Sequence, residues 1–150
     1  MRKLLLLLGT GLGSGYTPVA SGTFGSMLGA AIYWYFFPSN NRLCLLITVV
    51  AVVIAVYVCG RCEECFDKID DGRIVLDEVV GMWVSLLFLP RTLHVLFTAF
   101  IFFRFFDIYK PYIIRQSQKL NAGYGIVIDD VLAGISANLV VHVFLFFMKK

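Results

Sequence analysis

Five apolar stretches dominate this sequence, and they constrain its fold more than any other feature. They cover residues 26–37, 43–59, 74–89, 93–109 and 126–148. Hydrophobic residues make up 59% of the chain and charged residues 15%, whereas soluble domains average about 45–50% and about 25%. Too few polar residues remain to cover a soluble globule, and the same composition excludes a disordered chain. We therefore expect an all-α, multi-pass membrane protein that forms a single domain over residues 1–150.

The lengths of these stretches predict four or five transmembrane helices. A helix needs about 20 apolar residues to cross a bilayer, so the shorter stretches must borrow flanking residues or be re-entrant. The apolar start at 4–8 is short for a signal peptide, and we expect it to lie at the membrane interface. Polar linkers are predicted at 9–25, 38–42, 61–73 and 110–125.

The distribution of basic residues predicts the orientation. If the spans alternate in direction from residue 26 onward, nine of the 13 Lys and Arg residues fall on the side that holds the N-terminus. Cytoplasmic loops carry an excess of Lys and Arg, so this side is predicted to be cytosolic. The net charge of +3 is too small and too scattered to indicate a nucleic-acid partner.

Acidic residues show a sharper asymmetry, because the same topology places all ten carboxylates on the cytosolic side. Five lie inside or at the lip of apolar stretches, namely Asp77, Glu78, Asp107, Asp129 and Asp130. A charge in such a position costs about 2.5–3.5 kcal/mol on insertion scales and is a functional candidate. If the three helices pack together, the acids converge at one depth. Hard oxygen ligands without a neighbouring His or Cys favour Mg²⁺. Acids that only cap helix N-termini would explain one carboxylate per helix, but not two adjacent pairs.

Two further features suggest a phosphate site on the same side. Arg104 and Lys110 share a helix face with Asp107, at a spacing of three residues. A glycine-rich segment with Gly22, Thr23, Gly25 and Ser26 directly precedes the first long apolar stretch. A loop of this kind offers backbone N–H groups to an anion, although it matches neither a Walker A loop nor a dinucleotide-binding fingerprint. Together these residues predict metal-activated water attacking phosphorus, with the basic side chains neutralising phosphate charge.

Other chemistries find less support in the sequence. His94 and His142 fall on the far side or in mid-membrane, away from the acids, so a Ser-His-Asp site is excluded. Cys59, Cys62 and Cys65 are spaced as in a metal site, but they follow an apolar run without a second ligand cluster. We interpret them as reduced thiols at the cytosolic end of a helix.

Five sequence blocks resemble the phosphatidylglycerophosphatase A family of bacterial membrane proteins over about residues 9–140. They are G-S-G-Y-T-P at 13–18, G-T-F-G-S at 22–26, I-V-L-D-E-V-V-G-M-W at 74–83, R-F-F-D-I-Y-K-P at 104–111 and G-I-V-I-D-D-V-L-A-G at 125–134. The resemblance implies an Mg²⁺-dependent enzyme of the bacterial cytoplasmic membrane that converts phosphatidylglycerophosphate into phosphatidylglycerol and inorganic phosphate. It also adds Asp70 as a candidate metal ligand. Ser21 departs from the family's usual Pro, which is expected to loosen that segment.

Three other functions remain as alternatives. A proton- or ion-coupled transporter would use the same buried acids, but it would need a path to the far side, which carries no carboxylate. A CDP-alcohol phosphatidyltransferase would need a D-G-x-x-A-R pattern, whereas Asp71-Gly72 is followed by R-I-V-L. A purely structural membrane subunit would tolerate replacement of the acids by amides. The oligomeric state is left open by the sequence.

Overall fold

The computed structural model describes residues 2–68, 71–111, 114 and 123–148. Every regular element in these ranges is a helix, as the sequence predicts. The α-helices are α1 (Arg2–Gly9), α2 (Ser21–Phe36), α3 (Asn41–Phe66), α4 (Leu76–Leu86), α5 (Leu93–Tyr109) and α6 (Gly123–Met148), with a short 3₁₀ turn at Ser14–Tyr16.

Two of the described helices, α3 and α6, are long and apolar enough to cross a membrane. Each has 26 residues, which corresponds to about 39 Å of helix. Both expose large apolar side chains along their length, for example Val53 on α3 and Leu139 on α6. Helices α2 and α5, with 16 and 17 residues, fall short of the usual span. The structure thus supports a membrane protein, and the count of four or five spans stays a prediction.

Helix α4 is the centre of the fold. It has only 11 residues, and it packs against α2, α3, α5 and α6. Its contact with α6 is close because two glycines meet there. A Cβ atom on Gly134 would lie 2.4 Å from the Gly81 carbonyl oxygen, and one on Gly81 would lie 2.9 Å from the Asp130 carbonyl oxygen. This backbone approach brings the acidic start of α4 next to the acidic pair of α6.

Helix α3 extends beyond its predicted end. The sequence places a linker from Arg61, but the helix continues to Phe66 and ends where Asp67 adopts a left-handed conformation with φ of 51°. The extra turns are helical because Cys59, Cys62 and Glu63 are buried rather than solvated. Helix α1 packs on this part of α3, where the Cys62 thiol donates a hydrogen bond to the Leu5 carbonyl oxygen at 3.4 Å.

The glycine-rich segment after α1 packs against the start of α4. The Val75 backbone N–H donates to the Gly9 carbonyl oxygen at 2.9 Å. A Cβ atom on Gly15 would lie only 2.0 Å from the Arg73 carbonyl oxygen, so only glycine allows this approach. The second half of the segment differs from the prediction: residues 21–26 form the first turns of α2 instead of a loop before it.

Candidate metal centre

Three carboxylates from two helices form a compact group where the N-terminal parts of α4 and α6 meet. Asp77 and Glu78 occupy the first turn of α4, and Asp130 lies on α6. One oxygen from each carboxylate can be chosen so that all three lie within 4.8 Å of one another. Asp77 and Asp130 are 6% and 3% exposed. Three acids this close and this buried need a positive partner, because their mutual repulsion is poorly screened away from water.

The unpaired oxygens of this group fit a divalent cation. The Oδ1 atom of Asp77, the Oε2 atom of Glu78 and the Oδ2 atom of Asp130 are all buried without a hydrogen-bond partner. A buried acceptor left unsatisfied costs about 1–3 kcal/mol, and more when it is charged. A cation bound between the three side chains would satisfy all of them at once. A ligand set made only of carboxylate oxygens suits Mg²⁺ better than a softer metal.

The other two predicted acids, Asp107 and Asp129, lie beside cations. The Arg104 Nη1 atom donates to the Asp107 Oδ2 atom at 2.5 Å, and the Lys110 Nζ atom donates to the Asp129 Oδ2 atom at 2.5 Å. Lys110 also lies 4.0 Å from the Asp107 Oδ1 atom. The structure therefore gathers all five acids at the same helix ends, but it pairs two of them with basic residues. A role for Asp107 and Asp129 as metal ligands stays a prediction.

Lys110 is held in this position by an unusual backbone. It caps the C-terminus of α5 with φ of 44°, in the left-handed region that non-glycine residues rarely adopt, at a cost of order 1–3 kcal/mol. Burial alone would lower the pKa of its ammonium group. The hydrogen bond that Lys110 donates to Asp129 and the negative charges of Asp129 and Asp107 outweigh burial and raise that pKa. Lys110 is therefore a permanent positive charge between the two acids.

Helix α2 borders the site with a glycine, Gly22. A Cβ atom on Gly22 would lie 2.2 Å from the Glu78 Oε1 atom and 3.1 Å from the Arg104 Nη1 atom. The missing side chain is what lets the carboxylate and the guanidinium reach the surface of α2. Ser26 lies one turn further, donates to the Gly22 carbonyl oxygen at 2.7 Å and accepts from Arg104 Nη1 at 3.4 Å.

The remaining residues of the predicted phosphate segment have different surroundings. A Cβ atom on Gly25 would lie 2.8 Å from the Val75 Cβ atom, so this glycine serves the packing of α2 on the start of α4. Thr23 lies on a partly exposed face of the first turn of α2. Because residues 21–26 are helical, Gly22 and Ser26 contact the site through the flank of a helix. The segment forms a helix and not the predicted loop, and its role in binding phosphate stays a prediction.

Asp70 lies outside the described residues, but the residues that follow it, 71–73, form several hydrogen bonds. Asp71 accepts two hydrogen bonds from the Arg73 guanidinium, at 2.7 and 2.9 Å. These bonds hold the pKa of the Asp71 carboxyl well below its usual range, at about 2. The Ser21 hydroxyl donates to the Gly72 carbonyl oxygen at 2.6 Å. Ser21 thus joins this segment to α2, where we expected it to loosen the chain.

The sequence did not predict one feature of the site, the burial of the Nε–H edge of the Arg104 guanidinium. Its Nε atom is buried and has no hydrogen-bond partner, although Nη1 is engaged by Asp107. A buried donor on a cation is suited to an anionic ligand. The histidines lie on other parts of the chain, whereas Cys59 is buried near Asp77, Glu78 and Asp130. His94 and His142 are exposed, and all four cysteines are free thiols, as interpreted from the sequence.

The chain is similar in sequence to known bacterial phosphatases over nearly its whole length. The family model described as phosphatidylglycerophosphatase A matches residues 7–145. The phosphatidylglycerophosphatase A of Escherichia coli is 38% identical over 134 residues, covering 86% of this chain and 76% of the relative. The enzyme of the same name from Haemophilus influenzae is 37% identical over 145 residues, covering 95% and 89%.

A third relative has a different name. A putative phosphatidylinositol-3-phosphatase of Bacteroides thetaiotaomicron is 36% identical over 148 residues, covering 93% of this chain and 92% of the relative. No solved structure matches the chain significantly.

Proposed function

Because this chain belongs to the phosphatidylglycerophosphatase A family, we propose that it removes the terminal phosphate of phosphatidylglycerophosphate, giving phosphatidylglycerol and inorganic phosphate. Family membership makes the chain a phosphoric monoester hydrolase. The apolar helices α3 and α6 are consistent with an enzyme that meets its phospholipid substrate in a membrane. Neither the family nor the placement of the acids favours the transporter alternative.

One observation carries the proposed mechanism: the three partnerless carboxylate oxygens and the partnerless Arg104 Nε atom belong to one cluster of helix ends. Buried carboxylate oxygens without a donor favour a bound cation, and the Arg104 Nε–H, which has no acceptor although Nη1 is paired with Asp107, favours a bound anion. A phosphate monoester bound together with Mg²⁺ satisfies both sets.

Asp77, Glu78 and Asp130 are the residues that would hold Mg²⁺, which would supply a water of lowered pKa and neutralise charge on the phosphoryl oxygens. Arg104 would bind a non-bridging phosphoryl oxygen, where negative charge is concentrated. Asp107 orients that guanidinium through its contact at 2.5 Å. Lys110 is kept charged between Asp107 and Asp129 and adds to the positive potential at the phosphate.

The surroundings of the site favour direct attack by water. The described histidines are exposed on other parts of helices α5 and α6, and Cys59 is fully buried on α3. The exposed histidines are therefore not placed to form a covalent phosphoryl intermediate by the usual His chemistry.

We further propose that the site lies at the cytosolic lip of the bacterial inner membrane. The N-terminal ends of α2, α4 and α6 and the C-terminal end of α5 all reach this site. Under the alternating topology predicted from the sequence, most of the basic residues fall on this side, and the positive-inside rule would make it cytosolic. A phosphatase with this orientation would act on lipid head groups at the cytosolic surface.

The test is phosphate release by the purified, detergent-solubilised protein from two lipids, phosphatidylglycerophosphate and phosphatidylinositol 3-phosphate. The second lipid is included because the Bacteroides relative is named for it. We expect the first to be hydrolysed faster, and Asp77→Asn to lower the rate by about 100-fold or more, as expected for loss of a metal ligand.

Glu64→Gln is the matched control, because Glu64 is an exposed carboxylate that pairs with Arg61 on the surface of α3. It should retain the wild-type rate. Faster hydrolysis of the inositol lipid would overturn the substrate assignment. Normal turnover by Asp77→Asn would overturn the metal centre.

A further inference from the structure

An apolar groove lies between α2 and α5, directly beside the candidate metal centre. Its volume is about 440 Å³, and its walls come from residues 27–35 of α2 and 93–101 of α5. Its lining includes two small side chains, Ala30 and Ala31, beside the large aromatic side chains of Trp34 and Phe97. The two small side chains next to large aromatic ones are what make this helix surface concave.

One end of the groove lies next to the proposed phosphate site along both helices. At one end, Arg104 Nη1 and Ser26 Oγ are 3.4 Å apart and join α5 to α2. The groove walls begin at the next residue of α2, Met27, and about one turn before Arg104 on α5, at Ile101. From there the groove follows the two helices to Tyr35 on α2 and Leu93 on α5, a distance of about 12 Å along α2.

We propose that this groove binds an acyl chain of the phospholipid substrate while Arg104 holds its phosphate. This inference rests on the proposed function. A lipid whose head group reaches Arg104 must extend its chains away from the charged helix ends. The groove starts at that point, runs in that direction and presents almost only carbon to its contents. Arg104 supplies the matching positive charge at the head-group end.

A second feature agrees with a specific site instead of ordinary contact with bulk lipid. Most lipid-facing positions of α3 and α6 carry large branched or aromatic side chains, such as Ile54 and Phe146. Between α2 and α5 the lining includes Ala30 and Ala31, and a recess of about 440 Å³ is present there. A chain seated in that recess buries more of its surface than one lying on a convex helix, and this burial favours binding.

The test fills the recess with Ala31→Phe. Ala31 is exposed and lines the groove, so the larger side chain can be accommodated without entering the protein core. The rates are measured on dioleoyl and dihexanoyl phosphatidylglycerophosphate in the same detergent. For the long-chain lipid, kcat/KM should fall about tenfold, the affinity equivalent of roughly two buried methylene groups. For the short-chain lipid it should change less than about twofold, because little of its chain would reach the groove.

Val143→Phe is the matched control, since it adds a ring at a 56% exposed position on α6, away from the groove. It should change neither rate. An unchanged long-chain rate in Ala31→Phe would overturn the proposal, and so would an equal fall on both lipids. A wild-type protein that hydrolyses neither lipid would instead refute the proposed function.

A second measurement needs no variant. A phosphatidylglycerol carrying a photoreactive diazirine on its acyl chain is cross-linked to the wild-type protein, and the labelled peptides are identified. Labelling concentrated on residues 27–35 and 93–101 is the expected result. Labelling spread evenly over the exposed faces of α3 and α6 would contradict the proposal, whether or not Ala31→Phe folds.

Discussion

Gly22→Ala should separate activity from stability in this protein. The new Cβ atom would lie 2.2 Å from the Glu78 Oε1 atom, and real Cβ contacts are essentially never shorter than 3.0 Å. The Glu78 carboxylate must therefore retreat by at least about 0.8 Å, since 2.2 Å must become 3.0 Å. Glu78 can move because the colliding atom is the end of a flexible side chain. The shift moves the Glu78 carboxylate away from its position beside Asp77 and Asp130.

The substitution should lower the rate strongly but leave the thermal stability almost unchanged. A displacement of about 1 Å at a catalytic constellation costs on the order of 100-fold in rate, so kcat/KM for phosphatidylglycerophosphate should fall by about this factor. Alanine is favoured over glycine in a helix by up to about 1 kcal/mol, so the thermal midpoint should stay close to that of the wild type. Inorganic phosphate release and thermal unfolding in the same detergent measure the two effects.

Gly72→Ala is the control for Gly22→Ala. A Cβ atom there would meet only the Ser21 Oγ atom, at 3.9 Å, which is ordinary contact. This variant should keep the wild-type rate. If Gly22→Ala retained activity within about threefold, the tight contact between α2 and the acidic group would not matter for catalysis, and the reasoning would be refuted.

Three further variants test other parts of the structure. Lys110→Met should lower both activity and the thermal midpoint, because it leaves the buried Asp129 carboxylate without the cation 2.5 Å away; equal midpoints would show that the pair is unimportant. Asp71→Asn should lower the thermal midpoint at neutral pH. Because folding lowers the pKa of Asp71 to about 2 through Arg73, the difference from wild type should persist above about pH 4 and shrink as the pH falls toward 2; a difference that grew with acid would contradict this. Gly134→Ala should prevent folding, since its Cβ atom would lie 2.4 Å from a backbone oxygen of α4; size-exclusion chromatography and thermal unfolding would show whether a folded protein remains.

The sequence predicted the helical class and the residues of the site better than it predicted how they meet. Acidic residues within apolar stretches can be identified as site candidates from the sequence, because a charge there is costly and therefore rare. The alternating direction of the helices then predicts that these residues lie at one end of the bundle. The sequence could not divide them into two groups. That division depends on which acids meet a basic side chain once the helices pack, as Asp107 meets Arg104 and Asp129 meets Lys110.

The lengths of the helices were predicted less well, for a physical reason. The apolar runs of residues 74–89 and 43–59 look alike, yet α4 is an 11-residue core helix and α3 has 26 residues. Hydropathy reports a preference for an apolar environment, and a protein core satisfies it as well as lipid does. Similarly, the role of Gly22 depends on which side chains lie opposite it, and those come from α4 and α5.

The most direct test of the metal centre is isothermal titration of Mg²⁺ into the purified wild-type protein and the Asp130→Asn variant, in the same detergent and buffer. If Asp77, Glu78 and Asp130 hold the ion, the wild type should bind it and the variant should bind at least about tenfold more weakly. Equal binding by both proteins, or no binding by a folded and active wild type, would contradict this account.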